Sequence, residues 1–301
     1  MEAIFSFAAD RHGVVTRTEA RQLGLTDTQI ENLLRQGRLE RVAPSTYFAV
    51  GSPDSWHRRA RIAAMSVGGL VSHRAAAGLH RVDGFGLNRI EVSVDKHRRP
   101  RWSVEKVHRS TQMRFASPVE IDGLPVTGLP RTVLDLAAVL PWSRFERAID
   151  AVIRQKLCDW PDLCEVLALH SIQGRNGCGP LRAILDERYG DDNIPDSAFN
   201  RMVGRLLERS GMPSPRYEYE ILDRSGRFVG RVDLAYQRER IAIELDSVRW
   251  HLNRESFEKD PRRKNRLMLA GWTVLTFTWS DFVDRPGELV RDVSAALRLA
   301  A

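Results

Sequence analysis

Three cysteines in 301 residues, Cys158, Cys164 and Cys178, are too few and too irregularly spaced for a disulfide framework. No CxxC pair occurs, and His170 between them does not create zinc-ligand spacing, so free, buried thiols are expected. No run approaches the roughly 20 apolar residues of a membrane span. The start, Met1-Glu-Ala-Ile, lacks the basic stretch of a signal peptide. The expectation is a cytoplasmic protein without a membrane partner. Neither GxxxxGKS/T nor GxGxxG occurs, which leaves NTP hydrolysis and dinucleotide chemistry unsupported. Acidic charge is the minority: 46 Lys and Arg against 39 Asp and Glu leave a net charge of +7, a balance that favours a polyanionic partner such as DNA.

What is present is concentrated in Arg231-Val-Asp-Leu-Ala-Tyr236 and Ile241-Ala-Ile-Glu-Leu-Asp246. Both runs are short, apolar and β-branched, and the polar Gln237-Arg-Glu-Arg240 between them predicts two strands joined by a tight turn. Side chains alternate along a strand, so Ile241, Ile243 and Leu245 share one face while Ala242, Glu244 and Asp246 share the other. Asp233 is a third acid, set between Val232 and Leu234. Half-buried carboxylates without partners would cost several kcal/mol each. Nearby lysines and arginines can remove that cost by pairing. A divalent cation, Mg²⁺ (or Mn²⁺), can also remove it, because it favours carboxylate oxygens and brings its own waters.

The first fifty residues read as three helices and a hairpin. Ile4, Phe5, Ala8 and Ala9 recur at helical spacing before the break at His12-Gly13. Thr16 with Glu19 predicts a capping box for a helix ending at Leu23-Gly24. Thr26 caps a third helix, with Ile30, Leu33 and Leu34 inward, and strands follow over Leu39 to Val42 and Thr46 to Val50. This is the layout of a winged helix-turn-helix over 1–54, whose third helix enters the DNA major groove while the wing reaches phosphate or the minor groove. Thr28, Gln29, Asn32 and Arg35 are then the base-facing candidates, with Arg38 and Arg41 at the wing; a solvated helix face or a protein-docking module are the competing readings.

Residues 55–155 predict a mixed α+β domain. Trp56 to Val67 is a basic amphipathic helix, and Ser72 caps another, with His73 a nearby surface histidine; no third partner or nucleophile elbow makes the pair catalytic. Arg89 to Val94 and Trp102 to Val107 alternate like paired strands around Asp95-Lys-His-Arg-Arg-Pro-Arg101. In that loop Arg98, Arg99 and Arg101 suit phosphate contacts, or simply form a solvated hairpin tip. Core helices follow over Thr132 to Val139 and Phe145 to Ile153, and 156–195 reads as a helical connector ending at the hinge-like Asp191-Asp-Asn-Ile-Pro195. From 196 to 301 the order αβββαβ(α) is expected. The whole is an α/β (α+β) multidomain chain.

Two resemblances follow from these motifs. Asp233, Glu244-x-Asp246, Trp250-His251, Asp260-x-x-Arg263 and Gly271-Trp-Thr-Val-Leu-x-Phe277 resemble the PD-(D/E)xK nuclease superfamily, in particular the very-short-patch-repair-like (Vsr-like) endonucleases, over about residues 195–299. The departures are Asp246 where the superfamily has lysine, Asn200 where a helical glutamate is frequent, Ser247 for a glycine and Thr276 for an arginine. Val14-Val-Thr-Arg17, Gly37-Arg-Leu-x-Arg-Val42, Tyr47, Ser72-His-Arg-Ala-Ala76, Gly123-Leu-Pro-Val-Thr127 and Arg131-Thr-Val-Leu-Asp-Leu-Ala137 resemble the AbiEi-type antitoxins, bacterial repressors of type IV toxin–antitoxin systems, over residues 1 to about 155.

Together the resemblances imply a metal-dependent DNA endonuclease, hydrolysing phosphodiester bonds with Mg²⁺ (or Mn²⁺) and targeted by the winged helix. Asp233 and Asp246 would be metal ligands and Glu244 a ligand or the group that orients water. His251 would be the general acid–base, a structural histidine being the alternative, and Arg263 would contact phosphate, with Arg262 or Lys264 able to replace it and Asp260 in support. The other function class is a non-enzymatic DNA-binding repressor or antitoxin of a toxin–antitoxin or phage-defence system, with a degenerate nuclease fold and a toxin or defence-system partner. The acids favour the first class, and Asn200 and Thr276 the second.

Overall fold

The computed structural model describes residues 2–98, 105–171, 175–188, 196–223, 225–246 and 254–300, with the backbone alone over 254–261. The described residues are mixed α+β with three sheets, and the chain divides into two compact units, Met1–Cys158 and Asp159–Ala301.

The first unit begins with α1 (Glu2–Ala9), β1 (Val14–Thr16), α2 (Arg17–Gln22), α3 (Asp27–Arg35), β2 (Leu39–Ala43) and β3 (Thr46–Ala49). Both expected capping boxes are present. Thr16 Oγ1 accepts from the Glu19 N–H at 3.2 Å while the Glu19 carboxylate accepts from the Thr16 N–H at 2.8 Å, and Thr26 and Gln29 repeat the exchange at 3.3 and 2.8 Å. These bonds satisfy backbone donors that a helix start leaves open. Sequence reading missed β1, because three residues are too short to show a period. It pairs antiparallel with β3, so the sheet order is β1-β3-β2. Ile4, Ala8, Ile30, Leu33, Leu39 and Tyr47 belong to one core.

The chain continues through α4 (Trp56–Val67), β4 (Leu70–Val71), α5 (His73–Leu79), β5 (Glu91–Asp95), β6 (Lys106–Ser110), β7 (Val119–Ile121), β8 (Leu124–Val126), α6 (Leu129–Ala137) and α7 (Trp142–Arg154). A five-stranded sheet results, in the order β6-β5-β4-β8-β7. The strands expected as a hairpin instead run parallel, with Glu91 beside Lys106 and Asp95 beside Ser110. Alternation reveals which residues share a face; it carries nothing about the direction of the neighbouring strand.

Arg61, on α4 and 2% exposed, ties the two parts of this unit together. Its Nη1 donates to the Gly123 carbonyl at 2.6 Å and its Nε to the Val14 carbonyl at 3.3 Å, while Nη2 pairs with Glu19. Gly123 turns at φ +69°, and a Cβ there would meet the Asp10 carbonyl oxygen at 2.8 Å, so glycine is needed where the β7–β8 turn lies against the end of α1. His12 Nε2 lies 2.6 Å from the carbonyl oxygen of Asp122 in the same turn.

The second unit contains α8 (Trp160–His170), α9 (Cys178–Arg188), α10 (Asp196–Arg209), β9 (Arg216–Leu222), β10 (Phe228–Tyr236), β11 (Ile241–Asp246), α11 (Arg254–Leu269), β12 (Thr273–Thr278), α12 (Trp279–Asp284) and α13 (Pro286–Ala300). The helices read as a connector, α8 and α9, lie within it: the buried Glu165 of α8 is gripped by Arg205 at 3.2 Å and Arg209 at 2.9 Å from α10. The sheet order is β12-β11-β10-β9; β9, β10 and β11 are antiparallel, and β12 returns parallel to β11 after α11. Cys164 and Cys178 are buried, as expected, whereas Cys158 is half-buried. No described helix is long and apolar enough to cross a membrane.

Candidate functional site

Ser72 stands at the expected N-cap position of α5, while His73 differs from its expected place. Ser72 makes no side-chain bond to the start of α5. Its Oγ instead accepts from Ser93 Oγ at 2.9 Å and lies 2.9 Å from His73 Nδ1. His73 is buried, not on the surface, and its ring stacks on His108 with centroids 3.4 Å apart. Its backbone takes φ +54° at the turn from β4 into α5, a left-handed conformation unusual for a histidine. Beside the pair, the buried Glu91 carboxylate accepts from the Arg74 N–H at 3.0 Å and Arg74 Nη1 at 3.1 Å, with His108 Nε2 at 3.3 Å. The partners that draw Ser72 and His73 inward lie on β5 and β6, far along the chain, so the local pattern could not signal it.

The network sets a pH dependence. Burial pushes the His73 imidazole well below its ordinary value, and the adjacent His108 adds to the shift. Burial would raise the Glu91 carboxyl, but its hydrogen bonds to His108 and Arg74 hold it down at about 2. A depressed histidine is fully stabilising above its ordinary value near 6.5, and stability falls as the unfolded chain takes up the proton below it, by up to about 1.4 kcal/mol per pH unit. The Glu91 contribution is present above the unfolded carboxyl value of 4.5 and is lost toward about 2. Urea midpoints from pH 8 to 5 should therefore drop in the wild type and stay flatter in His73→Gln. Identical slopes would exclude His73 as the source.

On α3 the residues separate by stripe. Thr28, Gln29 and Arg35 are exposed and Asn32 half-buried. Asn32 Oδ1 accepts from Arg35, and Gln29 spends its side-chain carbonyl on the Thr26 cap. The acids Asp27 and Glu31 lie on another stripe and are already neutralised. Arg17 reaches Glu31 at 2.9 Å and Asp27 at 3.4 Å, Arg41 reaches Glu31 at 3.2 Å, and Arg21 pairs with Asp27. Arg38 lies over the Phe5 ring at 4.4 Å. Arg98, expected on phosphate, is tied to its own domain: its Nη1 donates to the Val67 carbonyl at the end of α4, at 3.2 Å, packed on the bare Gly68. Arg99 and Arg101 lie outside the described residues.

In the second unit the acids meet in part. Asp233 on β10 accepts the Leu245 N–H through Oδ2 at 2.8 Å and the Asn200 amide through Oδ1 at 3.4 Å. The same Asn200 nitrogen donates to Glu218 on β9 at 2.8 Å. Burial pushes the Asp233 carboxyl up, with Glu218 adding to the rise and Arg263 opposing it. Glu244 on β11 pairs with Arg263 of α11 at 2.8 Å, and Lys264 Nζ donates to Thr276 Oγ1 at 2.9 Å. Asp246 stands at the end of β11, half-buried. His251, Trp250 and the Asp260 side chain lie outside the described residues. Sequence reading missed Glu218; its only signal was alternation within Arg216-Tyr-Glu-Tyr-Glu-Ile-Leu222.

These residues fit a divalent cation incompletely. Asp233 and Glu244 supply the right oxygen chemistry from neighbouring strands, yet Arg263 already engages Glu244. Among the described residues no group of three His, Cys, Asp or Glu side chains is arranged to hold a metal ion.

The first sheet and its three helices correspond to a known family. Residues 2–49 match the transcriptional regulators described as AbiEi antitoxin. The match runs from the start of α1 to the end of β3 and so contains every candidate residue on α3 and the wing. Uncharacterized proteins of Mycobacterium tuberculosis, strains CDC 1551 / Oshkosh and ATCC 25618 / H37Rv, are each 26% identical over 275 residues, covering 91% of this chain and 97% of the relative. That span is longer than either unit, so the similarity extends over parts of both.

Proposed function

We propose that the protein is a DNA-binding regulator whose AbiEi-like domain is a winged helix, with α3 in the major groove, acting within a toxin–antitoxin or phage-defence system. The match of residues 2–49 to an antitoxin transcriptional regulator carries this reading. The chemistry of α3 supports it. Thr28, Asn32 and Arg35 recur at helical spacing on one stripe, while the two acids that would repel phosphate are paired with arginines. Each good base contact is worth about 1–3 kcal/mol, or roughly 5–150-fold. The triple variant Thr28→Ala/Asn32→Ala/Arg35→Ala should therefore bind a duplex selected from a random library at least about 100-fold more weakly, with an unchanged melting temperature. Equal affinity in wild type and variant would reject α3 as the reading helix.

A second reading makes the C-terminal unit a DNA endonuclease. The half-buried Asp233, on the strand between those of Glu218 and Glu244, supports it, because acids inside a sheet are costly without a task. The order α10-β9-β10-β11-α11-β12, with β12 parallel to β11, is compatible with a restriction-endonuclease-like core. Asp233 and Glu244, with Asp246, would hold Mg²⁺ or Mn²⁺, which when bound supplies an activated water and neutralises the scissile phosphate. Asn200 would fix the Asp233 carboxylate, Lys264 and Arg263 would hold phosphate, and His251 would move the proton.

A further inference from the structure

Three elements of the first unit meet where the AbiEi-like segment lies against the five-stranded sheet, and two histidines stand at that seam. His12, in the turn from α1 to β1, stacks on His57 of α4 with ring centroids 4.8 Å apart and planes 29° from parallel. Asp122, in the β7–β8 turn, answers both rings. Its carbonyl oxygen lies 2.6 Å from His12 Nε2, and its Oδ2 lies 3.9 Å from His57 Nε2. A carbonyl only accepts, so His12 Nε2 carries a hydrogen. Trp56 meets the His57 ring edge-on at 5.4 Å. His12 and Asp122 take φ +55° and +47°, left-handed backbone that residues other than glycine rarely adopt and that persists only where its surroundings hold it. We infer that the seam is a proton-sensitive joint, in which His12 and His57 share Asp122 and a second proton pushes the β7–β8 turn off the end of α1.

The neighbouring charges leave the rings little else to pair with. In the α1–β1 turn Asp10 is exposed, and Arg11 lies 3.5 Å from Glu120 of β7. Arg61, one turn after His57 on α4, is spent on Glu19 of α2, and Arg58 donates to the Ser52 carbonyl at 3.3 Å. A proton on His12 leaves its bond to the Asp122 carbonyl in place, because that nitrogen already donates. A proton on His57 pairs with Asp122 Oδ2. Both protons together set two positive rings face to face over one carboxylate, beside two arginines of α4. Burial and His12 hold the His57 imidazole below its ordinary value, and Asp122 opposes them. A folded state that disfavours the proton is firmest above the ordinary value near 6.5 and weakens as pH falls below it, because the open form takes the proton up. The joint is therefore tight in neutral solution and loosens in acid, whatever α3 binds.

The test follows His57 by the nuclear magnetic resonance signal of its ring, identified by its loss in His57→Gln, on the full chain between about pH 5 and 8. The wild-type midpoint should lie at least about half a pH unit below that of His12→Asn, roughly a threefold change in proton affinity. Asparagine accepts the left-handed turn at both positions, so Asp122→Asn keeps the carbonyl and should move the midpoint further down. Amide exchange over residues 10–16 and 119–126, corrected for its intrinsic pH dependence, should accelerate through the same midpoint in wild type, by up to about tenfold per pH unit. It should stay flat in His57→Gln, while α7 remains protected in every protein. An equal His57 midpoint in wild type and His12→Asn would show that the rings do not oppose one another and would overturn the inference. Exchange at the seam that ignores the His57 midpoint would overturn it too, leaving two stacked histidines that only fill space.

Discussion

Arg61→Met is expected to destabilise the N-terminal unit by about 3–5 kcal/mol, the usual result of removing one partner of a buried ion pair. Methionine preserves the apolar stem, so packing is nearly retained and the loss is polar. Glu19 keeps its Thr16 bonds but loses the guanidinium, and the Val14 and Gly123 carbonyls lose a charged donor. Because Glu19 remains 20% exposed, water recovers part of its charge stabilisation, which places the effect toward the lower end of that range. Urea denaturation of residues 1–158 or of the full chain reads it directly, and Arg61→Met/Glu19→Gln should recover a fraction. A midpoint within error of wild type would mean that the tie contributes nothing.

The second large effect concerns cleavage. If the C-terminal unit cuts DNA, Asp233→Asn should lower Mg²⁺- or Mn²⁺-dependent nicking of supercoiled plasmid by more than about 100-fold, since even partners one bond removed from a metal typically cost 10–100-fold. The amide oxygen still accepts the Leu245 N–H, so the strand contact and the melting temperature should survive. Asn200→Ala should cost less, because it releases the carboxylate without removing it. Undiminished nicking by Asp233→Asn would take the acid out of the reaction. Nicking retained in wild type but absent in the variant would establish an enzyme beside a regulator on one chain.

What was legible in the sequence was local. The two capping boxes, the apolar stripe of α3 and the order of elements after residue 196 depend on residues a few places apart, and these follow the pattern. What was not legible depends on distant partners. Strand β1 is three residues long, and the direction of β6 relative to β5 does not show in its alternation. The inward turn of His73 requires Glu91 and His108, and the Asp233–Asn200–Glu218 grouping requires α10 to cross next to β9 and β10. The acids themselves stood out because carboxylates in apolar strands violate the ordinary pattern; which arginine answers them did not.

The Arg61 and Gly123 contacts carry one further consequence. A binding domain on a loose tether would search many orientations and lose entropy on binding. Here Arg61 ties the first sheet to the five-stranded sheet through the Val14 and Gly123 carbonyls, so the segment that carries α3 is held against its neighbour at two points. A cut after residue 54 would therefore divide one compact unit and separate both carbonyls from each other, which severing a linker would not do.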